Sequence, residues 1–226
     1  MNATQTKFDS DLAEYRRLGG KVDSLRIIED ESAPKYAVDF QYLMMNRWAF
    51  DLAWKMAGEV LHDFASKVDF SAFMASRLHV KHYDIREPDF SVPGLEYVKA
   101  DITALPLPNN SVGLASCLHV AEHIGLGRYG DRVDPDGFNK ACSEISRVIE
   151  PGGNLLFAVP VGIPSVAFNA HRVLSTDQVI KAFPAMRLVE HSGIASNGKM
   201  VRNCPIGSLD FDRYGCGLFH FVKDSK

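Results

Sequence analysis

The chain has 226 residues, 46% of them hydrophobic and 23% charged, and its formal charge is −3. That balance belongs to an ordinary globule long enough for one large domain. It gives no electrostatic case for nucleic acid or an anionic membrane as partner.

In chain order, Phe8, Leu12, Tyr15 and Leu18 share one helical face, which Gly19-Gly20 ends. Residues Lys21 to Lys35 are charged, carry Pro34 and read as a connector. From Asp39 a second helix is expected, with Phe40, Met44, Met45, Trp48, Ala49, Leu52 and Met56 as a core-facing stripe and Gly58 as its stop. Val60–Asp63 and His79–Asp84 read as strands around a short helix, Asp69–Arg77, with Phe70, Phe73 and Met74 inward. So short a crossover makes the two strands parallel. Leu95–Ala100 and Val112–Leu118 are the next strands, separated by a turn with Pro106, Pro108 and Asn109-Asn110. Asp134-Pro135 marks a helix start, and Glu150-Pro151-Gly152-Gly153 marks its end.

Asn154–Val161 is an apolar run suited to a central strand covered on both faces. Ser175 and Gln178 form a capping box for a short helix. Met186–His191 and Cys216–Val222 are the last strands, and the polar, Gly- and Asn-rich stretch between them reads as a lid or binding loop. The expectation is a doubly wound α/β domain over residues 39–226, with a mostly parallel seven-stranded sheet and an N-terminal helical extension over residues 1–38. That extension is free to cover a ligand pocket or to pair a second copy into a homo-oligomer.

Cys117, Cys142, Cys204 and Cys216 show neither CxxC pairing nor metal-ligand spacing and read as buried thiols of a reducing compartment. The amino terminus lacks a signal-peptide core. The longest apolar stretch, broken by Pro160, Gly162 and Pro164, is too short to span a bilayer. A cytoplasmic location is expected.

The successive strand ends carry Asp63, Asp84, Asp101 and Cys117-Leu118-His119. In an open α/β sheet ligands bind beyond these ends, and an acidic residue after the second strand suits a ribose diol. Downstream, His119, Glu122, His123, Arg128, Tyr129 and Asp131 crowd into thirteen positions, the composition of an active-site edge. Imidazole titrates near neutrality and suits a general base, which makes His119, His123 and His171 the catalytic candidates, with His123 or His171 favoured. Arg128, Tyr129 and Arg172 suit orientation of an anionic or hydroxyl-rich substrate, with Glu122 beside them.

The stretches ADITALPLPNNSVGLASCLHVAEHI and EISRVIEPGGNLLFAVPVG resemble the class I S-adenosylmethionine-dependent methyltransferases. HVAEHIGLGRYGD and FNAHRV are similar to a methyltransferase-like family of unassigned function, over about Leu61 to His191. The resemblance implies S-adenosylmethionine as cofactor, with its methionine part along Asp63, Ala65 and Ser66 and its ribose at Asp84. It further implies adenine at Asp101 and Ile102, and Leu118 and His119 on the inner side. One departure stands out: the glycine-rich turn of that superfamily reads Asp63-Phe64-Ala65-Ser66-Lys67, where backbone must approach the ligand at positive φ.

The expected activity is methyl transfer to a small polar acceptor such as a sugar or acid, O-transfer preferred. Two alternatives stand beside it. One is a non-catalytic module that keeps the fold. The other is a metal-dependent hydrolase using His119-Val-Ala-Glu122-His123, which matches HxxEH, although Gly125 and Gly127 deny it the long helix that motif needs. No bound metal is expected; a divalent ion on a substrate diol would have Asp131 or Asp134 as ligands.

Overall fold

The computed structural model describes residues 3–22, 25, 38–56 and 60–225, and the chain divides into two compact units, Met1–Asp39 and Phe40–Lys226. The first unit holds helix α1, Ala3–Arg17. It ends as expected at Gly19, which takes φ +88° while the Leu18 and Gly20 amides close onto the Glu14 and Tyr15 carbonyls. Gly58 and most of the expected connector lie outside the described residues. No described helix is long and apolar enough to cross a membrane.

The second unit begins with helix α2, Phe40–Ala53. Strand β1 (Leu61–Phe64), helix α3 (Val68–Met74) and strand β2 (Val80–Asp84) follow as the expected parallel βαβ unit. Next come β3 (Leu95–Lys99), β4 (Val112–Leu118), α4 (Gly137–Val148) and β5 (Ile149–Val161). A hairpin of β6 (Ser165–Ala167) and β7 (His171–Val173) precedes α5 (Thr176–Lys181). The chain closes with β8 (Met186–Ile194), β9 (Met200–Val201) and β10 (Gly215–Lys223).

The main sheet runs β3-β2-β1-β4-β5-β10-β8-β9. Its first five strands are parallel, and β10 is antiparallel to both β5 and β8. This is the doubly wound α/β fold the sequence predicts, with eight strands instead of seven. The extra strand comes from the stretch read as a lid: the chain reverses at Gly198 (φ +81°), and Met200–Val201 pairs back on Gly193–Ile194.

Alternation along the buried strands sorts the core into two layers. Leu61, Leu114, Leu156 and Leu218 meet Met45, Trp48 and Leu52 of α2, so the Met and Trp stripe is core as expected. Phe157, Phe219 and Phe221 meet Phe138, Ile145 and Phe183 on the other face. Three local expectations fail. Phe40, expected in the core-facing stripe, is 42% exposed at the first residue of α2. Phe73 is 73% exposed, because α3 makes only two turns and buries Phe70 and Met74 instead. Helix α4 starts at Gly137 because the Asp134 carboxylate accepts the Asp136 amide at 3.0 Å, which makes residues 134–136 a turn. The Ser175–Gln178 capping box forms.

Strand order reverses between β1 and β4, which grow toward opposite edges of the sheet. A crevice at such a switch point is where this architecture takes its ligands.

Candidate functional site

The carboxyl ends of β1, β2 and β4, with the segment after β3, wall a narrow cleft. From β1 the chain turns at Ala65, which adopts φ +58° and lines the cleft. That left-handed conformation costs an L-residue roughly 1–2 kcal/mol, and alanine meets it with the smallest Cβ available. Ser66 accepts the Leu118 amide on its Oγ at 3.0 Å, tying this turn to the end of β4.

Asp84, the last residue of β2, is buried and points into the cleft. Its carboxylate is held by Arg86, whose amide (2.8 Å), Nε (3.0 Å) and terminal nitrogen (2.7 Å) all donate to it. Past β3, Asp101 accepts the Thr103 amide and hydroxyl on one oxygen, at 2.8 and 2.7 Å. Ile85, Ile102, Val120 and Ile124 give this end an apolar slot.

Beyond β4 the backbone breaks at His119, φ +55°, and a single turn over Ala121–His123 follows. His119 reaches the cleft and two adjoining cavities. Its Nδ1 lies 3.1 Å from Glu122 Oε1 and its Nε2 3.1 Å from Cys216 Sγ. Burial opposes charge on this imidazole but is outweighed by Cys216 and Glu122, which hold its pKa well above the ordinary value. His123 is clamped as well, with Nδ1 donating to the Ala170 carbonyl at 2.6 Å and Nε2 3.6 Å from Glu122. Burial, only partly offset by Glu122, lowers its pKa.

One adjoining cavity is markedly polar, lined by His119, His123, Arg128, Tyr129, Asn169, His171 and by Tyr42 and Tyr214. His171 sits half-buried at its wall with the Tyr214 ring edge-on at 4.9 Å, and among the described residues no hydrogen bond engages its imidazole. Arg128 donates to the Ala170 carbonyl at 3.1 Å. The loop beneath is shaped by Asp131, whose carboxylate accepts the Gly125, Gly127 and Tyr129 amides. Gly125 is obligatory here, because a Cβ would stand 2.0 Å from the Asp134 carbonyl.

Among the sequence-predicted residues, Ala65, Ser66, Asp84, Asp101, Ile102, His119, His123, Arg128, Tyr129 and His171 come together in these walls. Asp63, Leu118, Glu122 and Arg172 stand behind them. Asp63 is fully buried and accepts from Ser71 Oγ (2.7 Å), Ser116 Oγ (2.5 Å) and His82 Nδ1 (2.8 Å). Burial works against both charges of the Asp63–His82 pair, yet the pairing lowers the aspartate pKa and raises that of the histidine. Arg172 is buried and donates to the carbonyls of Glu122, Ile124, Asp134 and Pro135, so it braces the loop floor.

Residues that sequence reasoning missed are Tyr42 from α2, Lys67, Arg86, Tyr214 and Cys216. Only Lys67 and Arg86, next to predicted strand ends, left a signal that could have found them. The HxxEH stretch forms one tight turn, and its histidines face Cys216 and Ala170. Among the described residues no three His, Cys, Asp or Glu side chains are arranged to hold a metal.

The same fold occurs in solved methyltransferases and a cyclase. The N-methyltransferase NodS from Bradyrhizobium japonicum, solved with S-adenosylhomocysteine, aligns with a TM-score of 0.59 and 14% identity over 84% of this chain and 90% of that one. The [4+2]-cyclase SpnF aligns with a TM-score of 0.60 and 13% identity, over 99% of this chain and 96% of its own. The Burkholderia thailandensis 1,6-didemethyltoxoflavin-N1-methyltransferase aligns with 0.56 and 12%, over 100% and 92%. A family model described as "Caenorhabditis protein of unknown function, DUF268" matches residues 108–204, which contain both HVAEHIGLGRYGD and FNAHRV. No curated protein matches.

The cleft combines an apolar slot, the buried Asp84 carboxylate and, at Ala65, a turn in the left-handed conformation.

Proposed function

We propose that this chain is an S-adenosylmethionine-dependent methyltransferase acting on a small polar acceptor, with O-methylation favoured and His171 as general base. The observation that carries the reading is the convergence of Ala65, Asp84, Asp101 with Ile102, and His119 on one cleft that adjoins a polar cavity. When bound, the cofactor supplies a methyl carbon made electrophilic by its sulfonium. The chain's share is to hold a nucleophile in line and to remove its proton, worth about 10²–10⁴-fold for the base.

Of the three histidines, His119 and His123 have both ring nitrogens against protein partners, whereas His171 keeps its imidazole for a ligand. His171 takes the acceptor proton; Arg128 and Tyr129 orient the acceptor. Asp84 holds the ribose diol once Arg86 releases it, and Ile85 and Ile102 cover the adenine. Transfer of labelled methyl from S-adenosylmethionine to sugar and acid acceptors tests the reading. Activity that survives His171→Ala undiminished removes the histidine from its role.

One observation favours a second reading, a binding module without transfer: Arg86 already occupies both oxygens of Asp84. Such a module shows heat of binding for neither S-adenosylmethionine nor S-adenosylhomocysteine.

A further inference from the structure

Sharing Ala65, Asp84 and His119 with the nucleoside cleft lies a larger cavity of about 500 Å³. Three cations stand in its wall, Lys67, Arg86 and Arg128. Each is held against an aromatic face: Lys67 Nζ is 4.8 Å from the Tyr42 ring centre, and the Arg86 and Arg128 guanidinium carbons are 4.8 and 5.1 Å from that of Tyr129. Such stacking fixes where a long, flexible cation points without consuming its hydrogen-bond donors.

The nearby acids are already committed. Asp84 is forked by Arg86, and Glu87 lies 3.9 Å from Lys99. Among the described residues neither Lys67 nor Arg128 has a carboxylate partner; Arg128 donates to the Ala170 carbonyl and lies 3.2 Å from His123 Nδ1, and neither partner carries a negative charge. Two uncompensated positive charges therefore face one cavity in a chain whose formal charge is −3.

We propose that this cavity holds a phosphate or diphosphate ester group carried by the acceptor. The inference rests on the methyltransferase reading only in naming that reaction's substrate class. Charge decides the anion: a phosphate dianion balances both Lys67 and Arg128, whereas a carboxylate leaves one of them unmatched. The arginine fork also suits phosphate oxygens in pairs. A second source of an anion within this cavity is the cofactor's own methionine carboxylate, so the test separates the two.

Isothermal calorimetry on the full chain, titrated separately with inorganic pyrophosphate and with S-adenosylhomocysteine, provides it. The wild-type protein is expected to bind pyrophosphate, more weakly as salt is raised. Lys67→Ala and Arg128→Ala are each expected to weaken pyrophosphate tenfold or more while S-adenosylhomocysteine stays within twofold. Both side chains are exposed, and unchanged thermal unfolding serves as the folding control. Three results overturn the proposal: no pyrophosphate binding by protein that binds S-adenosylhomocysteine; tenfold loss of S-adenosylhomocysteine with pyrophosphate unchanged; or equal loss of both. Pyrophosphate binding without any S-adenosylhomocysteine binding instead overturns the methyltransferase reading and leaves the anion site standing.

Discussion

Replacing Ala65 probes the link between backbone strain and ligand approach. Ala65 holds φ +58° in the wall of the cleft. Alanine in that region costs roughly 1–2 kcal/mol, which Ala65→Gly relieves. Glycine brings back about 0.5–1 kcal/mol of unfolded-state entropy. The net expectation is a variant between equal stability and about 1.5 kcal/mol more stable, or a Tm up to several degrees higher for a chain of this length. Ala65→Val does the opposite: a β-branched residue at positive φ is a genuine outlier, and its extra methyls enter the cleft. A loss of about 2–3 kcal/mol is expected from strain of that kind, together with loss of nucleoside binding. Urea unfolding followed by circular dichroism, with calorimetry for S-adenosylhomocysteine, reads both effects. An Ala65→Gly protein destabilised by more than about 1 kcal/mol, or an Ala65→Val protein that folds and binds like wild type, would refute the reasoning.

Other substitutions test the roles the structure assigns. His171→Ala is expected to lower kcat by about 10²–10⁴-fold with no change in unfolding midpoint, since its imidazole makes no hydrogen bond among the described residues. Arg172→Ala is expected to cost roughly 3 kcal/mol, because it strands several buried carbonyls together; a change confined to KM would return Arg172 to the acceptor. Asp63→Asn should cost about 3–5 kcal/mol by leaving a buried charge on His82. The same pair sets a pH window. The lowered Asp63 pKa contributes stability that is present above its ordinary 3.8 and lost as pH falls through the folded value. The raised His82 pKa contributes stability that is present below its ordinary 6.5 and lost as pH rises through the folded value. Unfolding free energy measured against pH should therefore be greatest between these limits, and His82→Asn should flatten the alkaline limb.

Much of this was legible in the sequence because parallel sheets bring chemistry to one edge in chain order. Once β1, β2 and β4 are recognised, Ala65, Asp84 and His119 must share an edge, and they do. Side chains delivered by distant or irregular segments were not legible. Cys216 reaches His119 only because β10 inserts antiparallel beside β5, and Tyr42 arrives from a helix whose pattern speaks only of packing. The β6–β7 hairpin that carries His171 is three residues per strand, too short for alternation to reveal. Direction along a strand end was harder still. Asp63 and Asp84 look equivalent in sequence, but Ser71, Ser116 and His82 draw the first into the core while the second faces the cleft.

The central claim is that a nucleoside bearing a methionine tail binds where β1, β2 and β4 end. Calorimetric titration of the purified chain with S-adenosylhomocysteine tests it most directly. The account predicts one-to-one binding that Asp84→Ala weakens at least tenfold; absence of heat at millimolar ligand, or binding indifferent to Asp84, would contradict it.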